Sequence, residues 1–414
     1  IKIEAERIEE VEKQNNANLR YLAIDIETIS NVGVPDARKD IIGMISLSFE
    51  PEFSKHKNIV LVSKNIRKPE SNVKTFYNEK EMLSEFLKIL EAYDPDIIAG
   101  YNINGFDFPY ILERLKRNNL PTTLGRCNEK PAQSRKFSVY YRNTATGRVI
   151  VDPYLLIKEA IQKSNLRLKR LGLGDVAKAL LNDDKVNVSH SEITTFWNGT
   201  DEQINKLVRY AEKDAKLVLD LLKKMNFLDK FFELSKVSGL ILQDCLDGGE
   251  AQRVENLLLK EFNRNDFVLP CKPHDRENDE NINQELKGAL VLEPIVGLHS
   301  DSVVYLDFKS MYPSIFISYN ICPTTLLKEN IEGIETSEVP FNTSFVSKSV
   351  KEGMMPKILK MLIEERDKSR AIIKKTADVE TKRILEAKQQ ALKIMSNAFY
   401  GYTGYIRARL YIST

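Results

Sequence analysis

Two carboxylates stand two residues apart in the stretch "YLAIDIET", which is otherwise apolar. Successive side chains of a β-strand point to opposite faces, so a strand here would place Asp25 and Glu27 side by side on one face. Two anions this close repel each other unless a positive charge lies near them. The octapeptide alone leaves several interpretations open: a polar strand edge, a pair of carboxylates matched with lysine, or a metal site.

Two further carboxylates occupy positions that suit a metal site. Asp214 is the only charge in an apolar stripe that recurs at helical spacing after Asp201, which we expect to be the helix N-cap. An unpaired carboxylate buried in such a stripe would be costly. Asp107 immediately precedes another predicted helix, where a role as N-cap is the alternative.

Four carboxylates of this kind could hold two hard divalent cations such as Mg²⁺ roughly 4 Å apart. Such a pair activates water and stabilises the leaving oxygen of a phosphodiester. Tyr210 lies one helical turn before Asp214. It would either orient the attacking water or pack as a core aromatic.

The composition predicts an ordinary globular protein of two or three domains. The chain has 414 residues, of which 42% are hydrophobic, and a formal net charge of +2, so any nucleic-acid surface must be local. Its four cysteines form no CxxC pair, which argues against a zinc ribbon or a disulfide framework and favours a reducing compartment. No apolar run approaches the ~18 residues of a membrane span.

Strand and helix patterns alternate in the first half of the chain, which indicates an α/β layer. The predicted strands are "YLAIDIETIS", "IIGMISLSFEP", "NIVLVSK" and "IIAGYN", and the predicted helices include "EKEMLSEFLKILEAYDPD" and "FPYILERLKRNN". Later, residues 303–306 form an apolar run that predicts a strand ending at Asp307. Two charged amphipathic helices, broken near "KKTADVE", predict a helical hairpin between Pro356 and Asn397.

Three motifs of the first half resemble, in order and separation, the exonuclease motifs of family B DNA polymerases, with an archaeal-like appearance. They are "DIET", "YNINGFDFPYILER" and "YAEKDAKLVLDL". The resemblance implies an RNase H-like 3′→5′ proofreading domain. Its metal ligands would be Asp25, Glu27, Asp107 and Asp214, and Tyr210 would be the assisting tyrosine.

Two later motifs resemble the polymerase motifs A and B of the same family. They are "LDFKSMYPSI" and "QQALKIMSNAFYGYTG". The resemblance implies that Asp307 binds the catalytic metals. It further implies nucleotide-binding roles for Tyr312, Arg366, Arg370, Lys393, Asn397, Tyr400 and Gly401. An ordinary turn aromatic at Tyr312 and a solvated charged face around Lys393 are the alternatives.

The predicted fold is therefore a multidomain α/β protein, with an RNase H-like exonuclease domain, a partial polymerase palm (α+β) and helical-hairpin fingers. The predicted boundaries are a remnant of an N-terminal domain or linker at 1–19, the exonuclease domain at 20–228, the first part of the palm with connecting helices at 229–352, the fingers at 353–399 and an incomplete return to the palm at 400–414.

The resemblance implies a DNA-directed DNA polymerase with proofreading, which uses two Mg²⁺ ions at each site, replaceable by Mn²⁺. Its substrates would be primer–template DNA and deoxynucleoside triphosphates, and a sliding clamp is a further candidate partner. Its location would be cytoplasmic, or nuclear in a eukaryote, and no membrane partner is expected. A stand-alone 3′→5′ exonuclease and a non-catalytic DNA-binding scaffold subunit are the competing interpretations.

Two family elements are missing from the sequence. No Tyr-Gly-Asp-Thr-Asp type motif occurs to supply the second palm carboxylate, and no thumb follows motif B. We therefore expect either a piece of a longer polymerase or a subunit of a split polymerase, whose palm and thumb a second polypeptide completes. Since two-metal nucleotidyl transfer needs both carboxylates, this chain alone should be a nuclease and at most a very poor polymerase.

Overall fold

The computed structural model divides the chain into two compact units, Ile1–Leu228 and Asp229–Thr414. The structure describes residues 17–30, 33–67, 69–137, 140–162, 166–183, 190–273, 290–327, 329, 331–339 and 343–411. Most of the predicted N-terminal remnant at 1–19 therefore lies outside the described residues. None of the helices within these ranges is both long and apolar enough to cross a bilayer.

A six-stranded mixed sheet forms the centre of the first unit. The strands of this unit are β1 Tyr21–Ile29, β2 Ile41–Phe53, β3 His56–Val62, β4 Val73–Thr75, β5 Ile97–Ala99, β6 Gln133–Phe137, β7 Tyr140–Thr144 and β8 Val149–Val151. Six of them form the sheet in the order β4-β3-β2-β1-β5-β8, and β6 pairs with β7 as a separate two-stranded ribbon. Within the sheet, β1 is antiparallel to β2 and parallel to β5.

In the described part of the first unit, two helices lie between strands and four more follow the last strand. They are α1 Glu79–Tyr93, α2 Asp107–Arg117, α3 Pro153–Gln162, α4 Leu173–Leu181, α5 His190–Trp197 and α6 Asp201–Met225. The predicted N-cap of α6 is wrong by one residue. Thr200 is the N-cap, because its side chain accepts the amide of Gln203 in a capping box, and Asp201 is the first residue of the helix.

Apolar side chains cover both faces of the sheet. On one face, Ile24 and Ile26 of β1 belong to a buried cluster with residues of α1 and α2, such as Phe108. On the other face, residues of β2 and β3 belong to a second cluster with Leu207 and Ala211 of α6. Because side chains alternate along a strand, the residues of β1 between these isoleucines point toward the α6 side.

The second unit is mainly helical. Its elements are α7 Phe227–Ser238, which crosses the unit boundary, α8 Leu242–Asp247, α9 Glu250–Arg264, α10 Met311–Ser318, β9 Leu326–Leu327, β10 Thr336–Val339, β11 Thr343–Val346, α11 Met354–Ile373 and α12 Val379–Thr403. The three short strands form an antiparallel sheet in the order β10-β11-β9. The helices α11 and α12 pack against each other, and α9 packs against both.

The strand predicted at residues 303–306 is not formed. Val303, Val304, Tyr305 and Leu306 have no strand structure, and their side chains are 75% to 89% exposed. A strand needs a neighbour to accept and donate its backbone hydrogen bonds. Within the part of the chain that the structure describes, this segment pairs with no strand, so its apolar pattern lacks the partner that would convert it into a sheet.

Candidate active site

The strand β1 fixes the first two carboxylates. It pairs with β2 along its length, from Tyr21 to Ile29, and the register shifts between Glu27 and Thr28. The regular pairing of β1 with β2 thus extends through Asp25 and Glu27, and the irregularity comes directly after them. Asp25 and Glu27 therefore project from the α6 side of a strand that is held in place, and Glu27 is buried while Asp25 is half-buried.

The helix α6 supplies the third carboxylate. It packs against β1, β2 and β3, and Asp214 lies in its central part with only 4% of its surface exposed. One oxygen each of Asp25, Glu27 and Asp214 lies within 4.8 Å of the other two. The structure thus brings together three of the four carboxylates predicted as metal ligands.

Asp107 approaches the same strand from another direction. Phe106 occupies the N-cap position of α2 without a side-chain bond, and Asp107 is the first helical residue, so the alternative role of Asp107 as N-cap is not observed. Instead its Oδ1 accepts the backbone amide of Ile26 at 3.2 Å. This amide lies beyond the part of β1 that pairs with β5, which ends at Ala23. Asp107 is therefore held beside the strand position between Asp25 and Glu27.

A glycine allows the chain to reach this position. Gly100 follows β5, and a Cβ added there would lie 2.8 Å from the carbonyl oxygen of Ile24 and 2.8 Å from the Cβ of Ile103. Any other residue would push the chain away from β1. Gly100 therefore permits the close approach that leads to Asp107.

Burial shapes the protonation of the site. It is the main cause that raises the pKa of Asp107 to about 7, and the negative charges of Asp152 and Asp214 add to it. Nearby anions favour the neutral acid, whereas a bound cation would favour the carboxylate. A cation bound among these carboxylates would therefore stabilise their charged forms.

Tyr210 belongs to the same cluster. Its hydroxyl hydrogen-bonds to Asp214, and burial, followed by the charges of Asp214, Glu27 and Asp25, raises the pKa of the phenol. The tyrosine therefore stays protonated and acts as a donor at neutral pH. Its position one turn before Asp214 follows from the helical spacing seen in the sequence.

The sequence did not single out Asp152. This residue follows β8, is 5% exposed, and accepts the amides of Asn102 at 2.9 Å and Asn104 at 3.2 Å. Burial raises its pKa to about 6. A signal was present, because "VIVDPY" is an apolar strand that ends in an acid. Because β5 and β8 are parallel and Ala99 pairs with Val151, the carboxyl ends of the two strands lie side by side, which places Asp152 next to the loop that follows β5.

An ion pair anchors the helix that carries Asp107. Arg114 of α2 donates two hydrogen bonds to Glu79, from Nε at 2.8 Å and from Nη2 at 2.5 Å. Both residues are buried, and Glu79 also accepts the amide of Ile42 in β2 and the side chain of Asn118. The pair therefore fixes α2 against the sheet.

The predicted polymerase residues lie in the second unit, where Asp307 stands in the exposed segment that follows residues 303–306. In the described part of the chain it belongs to no group of three or more potential metal ligands. The rings of Tyr312 and Tyr400, in contrast, are brought together: their centroids are 4.2 Å apart and their planes differ by 5°.

The remaining predicted nucleotide contacts lie on the paired helices. Arg366 and Arg370 are one turn apart on α11, and burial, followed by the charge of Arg370, lowers the pKa of Arg366. Lys393 and Asn397 are exposed on one face of α12. Gly401 is also exposed, and no atom lies within 4 Å of the place of a Cβ there. The structure thus presents cationic side chains from both helices.

Comparisons with known proteins match both units. The family model for the DNA polymerase family B exonuclease domain matches residues 1–171, and the model for DNA polymerase family B matches residues 240–414. Relatives come from eukaryotes and archaea. The DNA polymerase delta catalytic subunit of Caenorhabditis elegans is 31% identical over 405 residues, and the DNA polymerase of Thermococcus gorgonarius is 34% identical over 401 residues.

The matches cover nearly all of this chain but only part of each relative. They span 94% of this chain and 37% of the nematode protein, and 96% of this chain and 49% of the Thermococcus protein. The structure of the family B DNA polymerase from Pyrobaculum calidifontis is similar with a TM-score of 0.74 and 31% identity, over 97% of this chain and 49% of that one. The two family models together account for most of the chain, which therefore belongs to DNA polymerase family B.

Proposed function

We propose that the first unit is an RNase H-like 3′→5′ proofreading exonuclease and that the second unit carries part of a DNA polymerase active site. The observation that carries the exonuclease assignment is the convergence of Asp25, Glu27 and Asp214 within 4.8 Å. A strand and a helix far apart in sequence supply these acids, of which Glu27 and Asp214 are buried, and a fourth, Asp107, is held against the same strand.

The donor set fits hard divalent cations. Carboxylate oxygens are the preferred protein ligands of Mg²⁺, which binds a few of them and keeps positions for water and phosphate oxygens. Asp25, Glu27, Asp107 and Asp214 would hold two Mg²⁺ ions, with Mn²⁺ as a substitute. When bound, such ions supply an activated water and stabilise the charge on the leaving oxygen of a phosphodiester.

The protein's own groups would complete hydrolysis. The Tyr210 hydroxyl, which hydrogen-bonds to Asp214, is placed to orient the water that attacks the terminal phosphodiester. The ion pair of Arg114 with Glu79 ties α2, which carries Asp107, to the start of α1, and Glu79 in turn accepts a hydrogen bond from the amide of Ile42 in β2. The frayed 3′ end of DNA would enter as a single strand, and its binding would weaken with salt.

In the second unit we assign the palm to residues 229–352 and the fingers to the hairpin of 353–399. Asp307 would bind the catalytic metals, and Tyr312 would pack under the incoming sugar. Arg366, Arg370 and Lys393 would contact the triphosphate, assisted by Asn397, while Tyr400 and Gly401 would lie near the nascent base pair. The exposed Arg370 of α11 and the exposed Lys393 of α12 support this assignment.

Polymerisation would require more than these residues. The matched part spans less than half of each relative's length, and Asp307 needs a second carboxylate for two-metal nucleotidyl transfer. We propose that this carboxylate comes from a second polypeptide or from a further part of a longer protein. A sliding clamp is a further proposed partner of the complete enzyme.

A labelled primer tests the proposal. The purified chain is incubated with a 5′-labelled primer–template and Mg²⁺, with and without deoxynucleoside triphosphates. An Asp25→Ala/Glu27→Ala variant controls for contaminating nuclease. A second variant, Asp201→Ala/Glu202→Ala, removes two acids at the start of α6, about 20 Å along the helix from Asp214.

We expect stepwise shortening from the 3′ end with the wild-type chain and with the second variant, none with the first variant, and no extension. Shortening that persists without Asp25 and Glu27 would contradict the assigned exonuclease site. Robust extension would show that Asp307 needs no further carboxylate. Binding of DNA without shortening would favour the scaffold interpretation.

A further inference from the structure

Asp152 connects two parts of the first unit. It immediately precedes α3, and its Oδ1 accepts the amide of Tyr154 at 3.1 Å, as a helix N-cap does. The same oxygen accepts the amide of Asn102 at 2.9 Å, and Oδ2 accepts the amide of Asn104 at 3.2 Å. One buried carboxylate thus ties the start of α3 to the loop after β5.

This loop delivers Asp107. Asn102 has a left-handed backbone with φ of 63°, and the loop enters α2 only a few residues later. From another direction, the side chain of Asn143 in β7 donates to the carbonyl and side-chain oxygens of Asn104, at 3.2 and 3.0 Å. The loop is therefore held by hydrogen bonds from two sides.

Packing alone does not hold the loop. A cavity of about 260 Å³ borders it, lined by Asn102, Asn104, Gly105, Tyr141, Asp152, Tyr154, Leu155 and Lys158. Close-packed interiors normally fix a segment through contacts on all sides. Ile103 packs into the core on one side of the loop, whereas on the side of the cavity the hydrogen bonds to Asp152 hold the loop in place of such contacts.

We propose that Asp152 is a positioning residue of the carboxylate site, which holds residues 101–106 so that Asp107 reaches β1. The role concerns the exonuclease proposed above and rests on that function. A carboxylate suits the task because its two oxygens accept three backbone amides together, whereas asparagine has one acceptor oxygen and would turn an N–H toward another donor. The competing role for Asp152 is a helix cap that serves α3 alone.

Two substitutions separate these roles. Asp152→Ser keeps a good N-cap for α3, but its short side chain cannot span both loop amides. Asp152→Asn keeps the shape but removes one acceptor. As the matched control, Asp96→Asn alters a carboxylate that accepts the amide of Arg20 near the opposite end of β5.

The first readout needs no metal and no activity. Hydrogen exchange of segment 101–107 is followed by mass spectrometry in EDTA. We expect faster exchange in both Asp152 variants, with unchanged exchange in β2 and β3, and wild-type exchange in Asp96→Asn. Unchanged exchange of segment 101–107 in Asp152→Ser would overturn the proposal and leave the cap of α3 as the role of Asp152.

The second readout is binding of Mn²⁺ alone, measured by electron paramagnetic resonance. We expect Asp152→Ser to weaken it by about 10- to 100-fold, the usual effect of residues that orient metal ligands. With Asp107→Ala already present, Asp152→Ser should cause no further loss, because both changes act through Asp107. Equal losses in both backgrounds would mean general destabilisation and would overturn the proposal.

Failure of the Asp152 proposal and failure of the proposed exonuclease function give different results. A wild-type chain that shortens no primer would overturn the exonuclease, while exchange and Mn²⁺ binding would still decide whether Asp152 positions Asp107. If Asp152→Asn does not fold, Asp152→Ser decides, because it keeps the helix cap.

Discussion

The backbone amide of Ile26 donates a hydrogen bond to the carboxylate of Asp107 across 3.2 Å. Ile26 is the residue between Asp25 and Glu27, so this bond sets the fourth acid against the strand that carries the first two. It also satisfies an amide that lies beyond the pairing of β5 with β1. One contact therefore serves both the fold and the assembly of the site.

Two substitutions of Asp107 separate the contribution of its hydrogen bond from that of its charge. Asp107→Asn keeps an oxygen for the Ile26 amide but removes the charge, whereas Asp107→Ala removes both. Since an unsatisfied buried amide costs about 1–3 kcal/mol, we expect Asp107→Ala to have a lower free energy of unfolding than Asp107→Asn by that amount. Fluorescence of Trp197, the only tryptophan in the chain and buried in the first unit, reports this unfolding. Equal stability of the two variants would show that the bond contributes nothing.

Tyr210→Phe tests the hydroxyl that hydrogen-bonds to Asp214. The ring stays in place, so stability should change by only about 1 kcal/mol. The rate of 3′-end shortening should fall by about 10- to 100-fold, as is typical when a group that orients a metal ligand is lost. Single-turnover assays on single-stranded DNA measure this rate. A normal rate would leave Tyr210 with the packing role alone.

The carboxylates of β1 and α6 were predictable because regular periods decide where side chains point. Alternation along a strand put Asp25 and Glu27 on one face, and helical spacing marked Asp214 as the charge in an apolar stripe. Asp152 escaped prediction because its role depends on tertiary hydrogen bonds to a loop distant in sequence. The strand at 303–306 was wrongly predicted because an apolar pattern does not reveal whether a neighbouring strand is available.

The buried ion pair between Arg114 and Glu79 should contribute strongly to the first unit. Arg114→Ala leaves the Glu79 carboxylate buried without its main partner, and such changes cost about 3–5 kcal/mol. Arg117→Ala on the same helix is the control, because Arg117 forms an exposed pair with Glu113. We expect the control to lose at most about 0.5 kcal/mol. Urea unfolding followed by Trp197 fluorescence compares the two, and similar losses would contradict the role of burial.

Asp94 provides a test of pH dependence. Its hydrogen bond from Arg126, at 2.7 Å, is the largest cause that holds its pKa below the ordinary value of 3.8. The carboxylate therefore stabilises the fold above pH 3.8, and this contribution is lost as the pH falls through the lowered pKa. Asparagine tolerates the left-handed backbone of this position, so Asp94→Asn removes the charge without new strain.

We expect Asp94→Asn to lower the free energy of unfolding at pH 7, because Asp94 pairs both with Arg126, where water screens the pair, and with the buried Arg148 at 3.0 Å. The difference from wild type should shrink toward pH 3. Urea titrations at several pH values, followed by Trp197 fluorescence, measure this trend. A difference that grows as the pH falls would have the wrong sign for a lowered pKa.

The exposed apolar segment at 290–308 should make the isolated chain associate. Val304 is 75% and Leu306 is 87% exposed, and a contiguous run of exposed apolar side chains favours association with another chain. Val304→Glu/Leu306→Glu should reduce association, and stability should be unaffected because neither side chain is buried. Sedimentation velocity over a range of concentrations measures this effect. As the control, Val268→Glu/Val379→Glu changes two exposed valines outside this segment and should sediment as wild type. If the two double variants reduce association equally, the added charge and not this segment governs association.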